Sequence, residues 1–306
     1  MKINKWVQPL KLGDKVAIIS PSSPPESAEL VQKGANFLAK LGLLPVVGES
    51  CYAQYGYLAG SDELRAHDIN KYFADPTISG IFCARGGYGL QRILELVDFD
   101  IIAKNPKVFC GYSDISALHN TIPERAGFIT YHTPMLATLK FSQADPYTIT
   151  EFTRQFFGNS IGQIKNPEGF EMEFFGEGVT EGKLCGGNLS IITSSLATAY
   201  EINTRNNILF IEEVAEEPYK IDRQLNQLRL AGKLDAAAGI IFGDFADCTA
   251  SDPNFSLTID EIIQNLNLKV PYIQGFKCGH CYPTASLPMG ALARIDATTA
   301  TLEVLA

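Results

Sequence analysis

Residues 107–127, KVFCGYSDISALHNTIPERAG, read in three parts. Val108, Phe109 and Cys110 form a short apolar run of the kind that makes a strand buried on both faces. Gly111, Tyr112 and Ser113 turn the chain, and the residues from Asp114 onward predict a helix that Gly127 closes. Strand, one tight turn and helix make the repeating unit of an α/β layer. The same alternation extends outward in both directions. Upstream lie the strand KVAIIS (15–20) with the turn PSSPP, a periodic helix over 27–41, the strand LPVVGES, a helix in GSDELRAHDINKYFAD with Ser61 as N-cap, the strand SGIFCAR and a helix in GLQRILELVD. Downstream FITYHTPM is a further strand. The pattern predicts an open, mostly parallel sheet with helices on both faces, Rossmann- or flavodoxin-like, which places ligands at the carboxyl ends of its strands.

After a helix over 145–157, residues 161–182 are rich in glycine and polar residues without a helical period, which predicts a linker. The expected division is therefore an N-terminal domain over 1–160, the linker, and a smaller C-terminal α/β domain over 183–306. In the latter, ILFIEEV and AAGIIFGDF read as strands, YKIDRQLNQLRLAG as an amphipathic helix, 258–266 as a helix and ALARIDATTATLEVLA as a closing hairpin.

The chain has 306 residues, 46% of them hydrophobic and 19% charged, enough for a full core without covalent staples. A net charge of −9 with no basic run argues against a nucleic-acid partner, since phosphate contacts need clustered Lys and Arg. Nowhere do about 18 apolar residues follow one another as a membrane span requires, and no secretory leader pattern opens the sequence. The expectation is a cytoplasmic protein with no membrane partner. Seven scattered cysteines, at 51, 83, 110, 185, 248, 278 and 281, read as reduced thiols.

Four stretches carry candidate chemistry. In VFCGYSDIS, Ser113 sits at a strand-to-helix turn that exposes a hydroxyl, and the amide of Asp114 starts the helix; this is either a nucleophile elbow or an ordinary helix cap, because Ile115 stands where the hydrolase pattern has a second glycine. CARGGYG (83–89) either offers backbone amides to an anion or is a tight turn that needs positive φ. Its G-G-x-G spacing is not a dinucleotide fingerprint. Glu212 and Glu213 end an apolar strand, and strand alternation points them to opposite faces, so at least one faces a cleft or the partner domain. In KCGHC (277–281), a redox dithiol would need its first cysteine at a helix start, which the following YPTASLPMGA cannot supply. A zinc site would need a second ligand pair nearby, and His67, His119 and His132 all lie in the other half. That leaves His280 as a candidate general base. The chain order Ser, Glu, His occurs in other triad hydrolases.

Taken together, KLGDKVAIISPSSP, ARGGYGLQRIL, FCGYSDISALH, GKLCGGNLSII, FIEEVAEEPYKIDRQLNQLRLAG and GHCYPTASLPMGALARID resemble the LD-carboxypeptidases, serine peptidases that include the microcin C immunity peptidases. The resemblance runs over nearly the whole chain. It implies a two-domain α/β homodimer with Ser113 as nucleophile, Glu212 and His280 as its acid and base, and the amides of Gly87 and Asp114 as the oxyanion hole. It implies no metal or organic cofactor, and a murein peptide substrate cut between an L-centre diamino acid and terminal D-alanine. Arg85 is a candidate for the terminal carboxylate or an ordinary ion-pair partner. Cleavage of aminoacyl-nucleotide analogues is the alternative activity, and a wall-peptide binding module or a dithiol oxidoreductase the alternatives of another class. The immunity peptidases carry an extra tryptophan-bearing segment, whereas the single tryptophan here is Trp6.

Overall fold

A computed structural model describes residues 4–158 and 160–306. The chain divides into two compact units, residues 4–160 with 286–290, and residues 161–285 with 291–306.

In the first unit the elements run β1 (Lys15–Ile19), α1 (Ala28–Lys40), β2 (Leu44–Val47), α2 (Asp62–Ala74), β3 (Ile78–Cys83), α3 (Phe99–Lys104), β4 (Val108–Gly111), α4 (Ser116–Arg125), β5 (Thr130–His132), α5 (Leu139–Ser142) and α6 (Pro146–Phe156). Five of these six helices, all but α4, begin at a side chain whose oxygen takes up an orphan amide. Ser27 accepts the Leu30 N–H and Ser61 the Leu64 N–H, each at 3.2 Å. The buried face of α1, with Leu30, Val31, Ala35 and Leu38, follows the 3.6-residue period. The strands pair in parallel in the order β2-β1-β3-β4-β5. The order reverses between β1 and β3, so the loops leaving these two strands flank the switch point where such sheets bind ligands. The strand Leu287–Met289, from near the end of the chain, adds antiparallel to the β5 edge.

The stretch GLQRILELVD, expected as one helix, forms a single 3₁₀ turn, Leu90–Ile93. Its start is fixed from outside, because Gly89 has φ +130° and the Leu90 N–H donates to the Asp114 carboxylate. Asp98 then caps a new helix, α3, by accepting the Ile101 N–H at 2.9 Å.

The second unit holds β6 (Gly162–Ile164), β7 (Glu173–Phe175), β8 (Val179–Asn188), α7 (Leu189–Ser194), β9 (Ile208–Val214), α8 (Pro218–Leu230), α9 (Lys233–Ala236), β10 (Gly239–Ala246), α10 (Ile259–Asn265), β11 (Tyr272–Gln274) and the hairpin of Leu292–Asp296 with Thr301–Val304. Strands β8 to β11 pair in parallel at the centre of an eight-stranded mixed sheet. Leu209, Ile211, Ile240 and Phe242 of its central strands bury against Ile221, Leu225 and Leu228 of α8. The expected linker, residues 161–182, instead contributes β6, β7 and the start of β8. Strands β6 and β7 are the two edges of the sheet, and the glycines and charges that suit an edge hide the two-residue alternation.

Candidate active site

In the first unit the end of β4 leads straight into a 3₁₀ turn, Ser113–Ile115, that continues into α4. Ser113 adopts φ +62°, a left-handed conformation that costs a non-glycine residue free energy and is retained where surroundings enforce it. Its side chain is half-buried. Gly111 makes the turn possible, since a Cβ there would lie 3.0 Å from both Cys83 Cβ and Ile115 Cγ1. Behind the turn His119 is fully enclosed, bonded by Nε2 to the Gly111 carbonyl and by Nδ1 to the Thr130 hydroxyl, both at 2.8 Å. Burial pushes its pKa down to about 4, so the ring is neutral; Nε2–H donates to the carbonyl and Nδ1 accepts from the hydroxyl.

The loop after β3 lies against the serine. A Cβ on Gly86 would approach within 2.8 Å of Ser113 Cβ, so only glycine fits there. Gly87 has φ +92° and a Cβ on it would collide with the side chain of Ser23. Ser23, on the loop after β1, donates its N–H to the Gly86 carbonyl at 2.9 Å and accepts the Tyr88 N–H at 3.1 Å. The turn reading of CARGGYG is met at Gly87 and Gly89, whose φ values are +92° and +130°. Asp114 is buried, and burial raises its carboxyl above the usual range against the opposing pull of the Leu90 N–H, which it accepts at 2.8 Å. Arg85, half-buried, donates from Nη1 to the Pro24 carbonyl at 2.9 Å.

In the second unit Glu212 and Glu213 end β9 and are both buried. Their surroundings differ. Glu213 accepts from Asn188 Nδ2, the Ser190 N–H and hydroxyl and the Val214 N–H at 2.7–2.9 Å, which caps the start of α7. Glu212 points to the other side and bonds the ring of His280, Oε2 to Nδ1, at 2.7 Å. Its Oε1 has no hydrogen-bond partner among the described residues. Gly279 permits this approach, because a Cβ there would sit 2.7 Å from Glu212 Oε2. The glycine immediately before the histidine was the available signal for that contact.

Cys278 and Cys281 are buried thiols outside any disulfide and donate to the Ala285 and Pro283 carbonyls. Burial pushes Cys281 up to about 12, which withholds the thiolate needed for disulfide exchange. The structure thus gathers Ser113, Gly87 and Asp114 in one unit, with Arg85 on the same loop as Gly87, and pairs Glu212 with His280 in the other. The guanidinium of Arg65, which donates to the Pro21 and Gly89 carbonyls of these loops, carries no local motif. Among the described residues no helix is long and apolar enough to cross a membrane.

Comparison with known proteins identifies the family of the chain. Residues 16–133 match the family model described as LD-carboxypeptidase N-terminal domain, and residues 181–295 the model described as LD-carboxypeptidase C-terminal domain. A probable murein peptide carboxypeptidase of Bacillus subtilis is 39% identical over 305 residues, covering 99% of this chain and 95% of the relative. Among solved structures, MccF in complex with glutamyl sulfamoyl guanosine superposes with a TM-score of 0.89 at 25% identity over 98% of both chains. The muramoyltetrapeptide carboxypeptidase of Oxalobacter formigenes shares the fold at a TM-score of 0.81 and 24% identity, over 95% of this chain and 99% of that one.

Proposed function

The chain belongs to the LD-carboxypeptidase family of peptide hydrolases, and from that premise we propose that it removes the terminal D-alanine of murein tetrapeptides by a serine mechanism. The observation that carries the reading is the 2.7 Å bond between Glu212 and His280 Nδ1. A carboxylate on Nδ1 fixes the tautomer that leaves Nε2 basic, and it stabilises the imidazolium once Nε2 has taken a proton.

In this reading His280 Nε2 takes the hydroxyl proton of Ser113 as Oγ attacks the carbonyl carbon between the L-centre of the diamino acid and D-alanine. The amides of Gly87 and Asp114 receive the oxyanion, each such donor contributing about 3 kcal/mol at the transition state. The C–N bond breaks as His280 gives its proton to the departing amine, leaving an ester on Ser113. Water then attacks that ester while His280 takes its proton; the bond between the acyl carbon and Oγ breaks as His280 returns that proton to Oγ, and the peptide leaves as a carboxylate. Arg85 supplies a guanidinium for the terminal carboxylate of D-alanine. The enzyme acts in the cytoplasm on recycled wall peptides, as a homodimer and without a cofactor.

The test is mass-spectrometric detection of D-alanine release from L-Ala-γ-D-Glu-meso-diaminopimelate-D-Ala. Wild type should release it and Ser113→Ala should lose at least about 10⁴-fold in kcat. Release by both proteins would remove Ser113 from the mechanism. The likeness to MccF favours a second reading, cleavage of an aminoacyl nucleotide analogue, and aminoacyl sulfamoyl adenosine hydrolysed in preference to the tetrapeptide would select it.

A further inference from the structure

We propose that Arg65 is a positioning residue for this reaction, a buried brace that ties the loop after β1 to the loop after β3 and so fixes the Gly87 amide beside Ser113. The inference rests on Gly87 being an oxyanion donor.

Arg65 projects from α2 and is wholly buried, an unusual place for a guanidinium. Such a charge is costly to bury unless its donors are used; here both terminal nitrogens are used, while Nε has no hydrogen-bond partner among the described residues. Nη1 donates at 2.8 Å to the carbonyl of Pro21, in the loop after β1, and at 2.8 Å to that of Gly89, in the loop after β3. Nη2 is paired with Asp62. The Asp62 carboxylate in turn holds Arg92, in the 3₁₀ turn that follows the second loop, through Nε at 3.1 Å and Nη2 at 2.8 Å.

The loop needs such restraint. Gly86, Gly87 and Gly89 bring the least conformational preference of any residue type, and Gly87 is exposed. An oxyanion donor, by contrast, works only if it is fixed before the reaction, and misplacement by about 1 Å can cost about 100-fold in rate. Ser23 holds the loop at Gly86 and Tyr88, Asp114 holds Leu90, and Arg65 holds Gly89 between them. A Cβ on Gly89, where φ is +130°, would stand 2.5 Å from Leu58 Cδ2 and 2.9 Å from Arg65 Nη1, so glycine at 89 leaves room for both side chains. Lysine keeps the charge at 65 but not the planar fork that reaches three acceptors on three segments.

The experiment combines hydrogen exchange of residues 84–93 with steady-state D-alanine release, for wild type, Arg65→Lys and the milder Asp62→Asn, which leaves Arg65 in place. In Arg65→Lys the brace predicts exchange of the hydrogen-bonded Tyr88 and Leu90 amides faster by about tenfold with β4 and α4 unchanged, and kcat lower by about 30-fold with KM within about threefold. Asp62→Asn should move the same two quantities in the same direction by about threefold, and it decides the matter if Arg65→Lys fails to fold. Loop exchange at the wild-type rate in a folded variant would overturn the brace, and faster exchange with an unchanged kcat would overturn its role in positioning. Wild-type enzyme that releases no D-alanine would instead strike the functional reading and the positioning role with it, while the exchange measurement still decides the brace.

Discussion

The serine turn of the first unit is held by backbone geometry, whereas the histidine of the second is held by a side-chain bond. Ser113 owes its position to φ +62°, to glycines at 86 and 111, and to a parallel strand that ends where a helix begins. His280 lies on a loop without regular structure and bonds the Glu212 carboxylate, which it reaches because residue 279 has no side chain. A site built from backbone tolerates loss of its functional side chain without loss of shape. One built from a side-chain pair does not, since each partner orients the other.

The sharpest way to break this comparison uses the two neighbouring acids on β9. Glu212→Gln should lower kcat by about 10³- to 10⁴-fold, because an amide no longer selects the histidine tautomer, with little change in the denaturation midpoint. Gly279→Ala should lower kcat by about 100-fold by pushing the loop off Glu212. Glu213→Gln should do the reverse: it strips a charged cap from α7 and costs about 3 kcal/mol of stability, while kcat of the folded fraction stays within about threefold. Urea denaturation alongside steady-state kinetics separates the two patterns. Equal kinetic losses at 212 and 213 would mean that facing opposite ways does not divide their roles.

The backbone-built half carries a pH liability of its own. His119 has a folded pKa of about 4 against an ordinary value near 6.5, because its neutral ring is sealed between Gly111 and Thr130. The unfolded chain therefore binds a proton between those values that the folded protein refuses. This contribution is fully present above about pH 6.5 and is lost as pH falls toward 4, an effect of about 3 kcal/mol from this group. Urea midpoints at pH 7 and pH 4.5 should show the drop in wild type and a shallower one in His119→Gln, which can still donate to Gly111. Parallel drops in both proteins would clear His119 as the cause.

The same contrast explains what could be read from sequence. The first unit's strand–turn–helix alternation is local, and so is the G-Y-S-D turn, so both are visible in short windows around Ser113. Alternation also separates Glu212 from Glu213 but cannot say which one meets the histidine. That depends on Asn188 and Ser190 saturating Glu213, a contact across about two dozen positions of the chain. Arg65 reads as one more charge on a helix, and its burial depends on Pro21 and Gly89 converging from two loops. The strand Leu287–Met289 contains Pro288, which argues against a strand anywhere but on an edge, and it lies on the edge beside β5. Nothing within its own window tells of that return.

The smallest expected effect probes the turn itself. If the left-handed backbone at Ser113 is enforced by its surroundings, serine destabilises the fold there in exchange for a presented hydroxyl, and glycine would not. Ser113→Gly should therefore raise stability by about 1 kcal/mol while turnover disappears. Ser113→Ala is the control: it loses the hydroxyl equally but keeps a Cβ in the same unfavourable conformation, so its urea midpoint should stay near that of wild type. The pair separates two origins of any gain that would otherwise look alike. A rise confined to glycine locates the cost in φ at residue 113, whereas an equal rise with alanine would locate it in the half-buried hydroxyl, and the turn would then be held by its side chain as the histidine is.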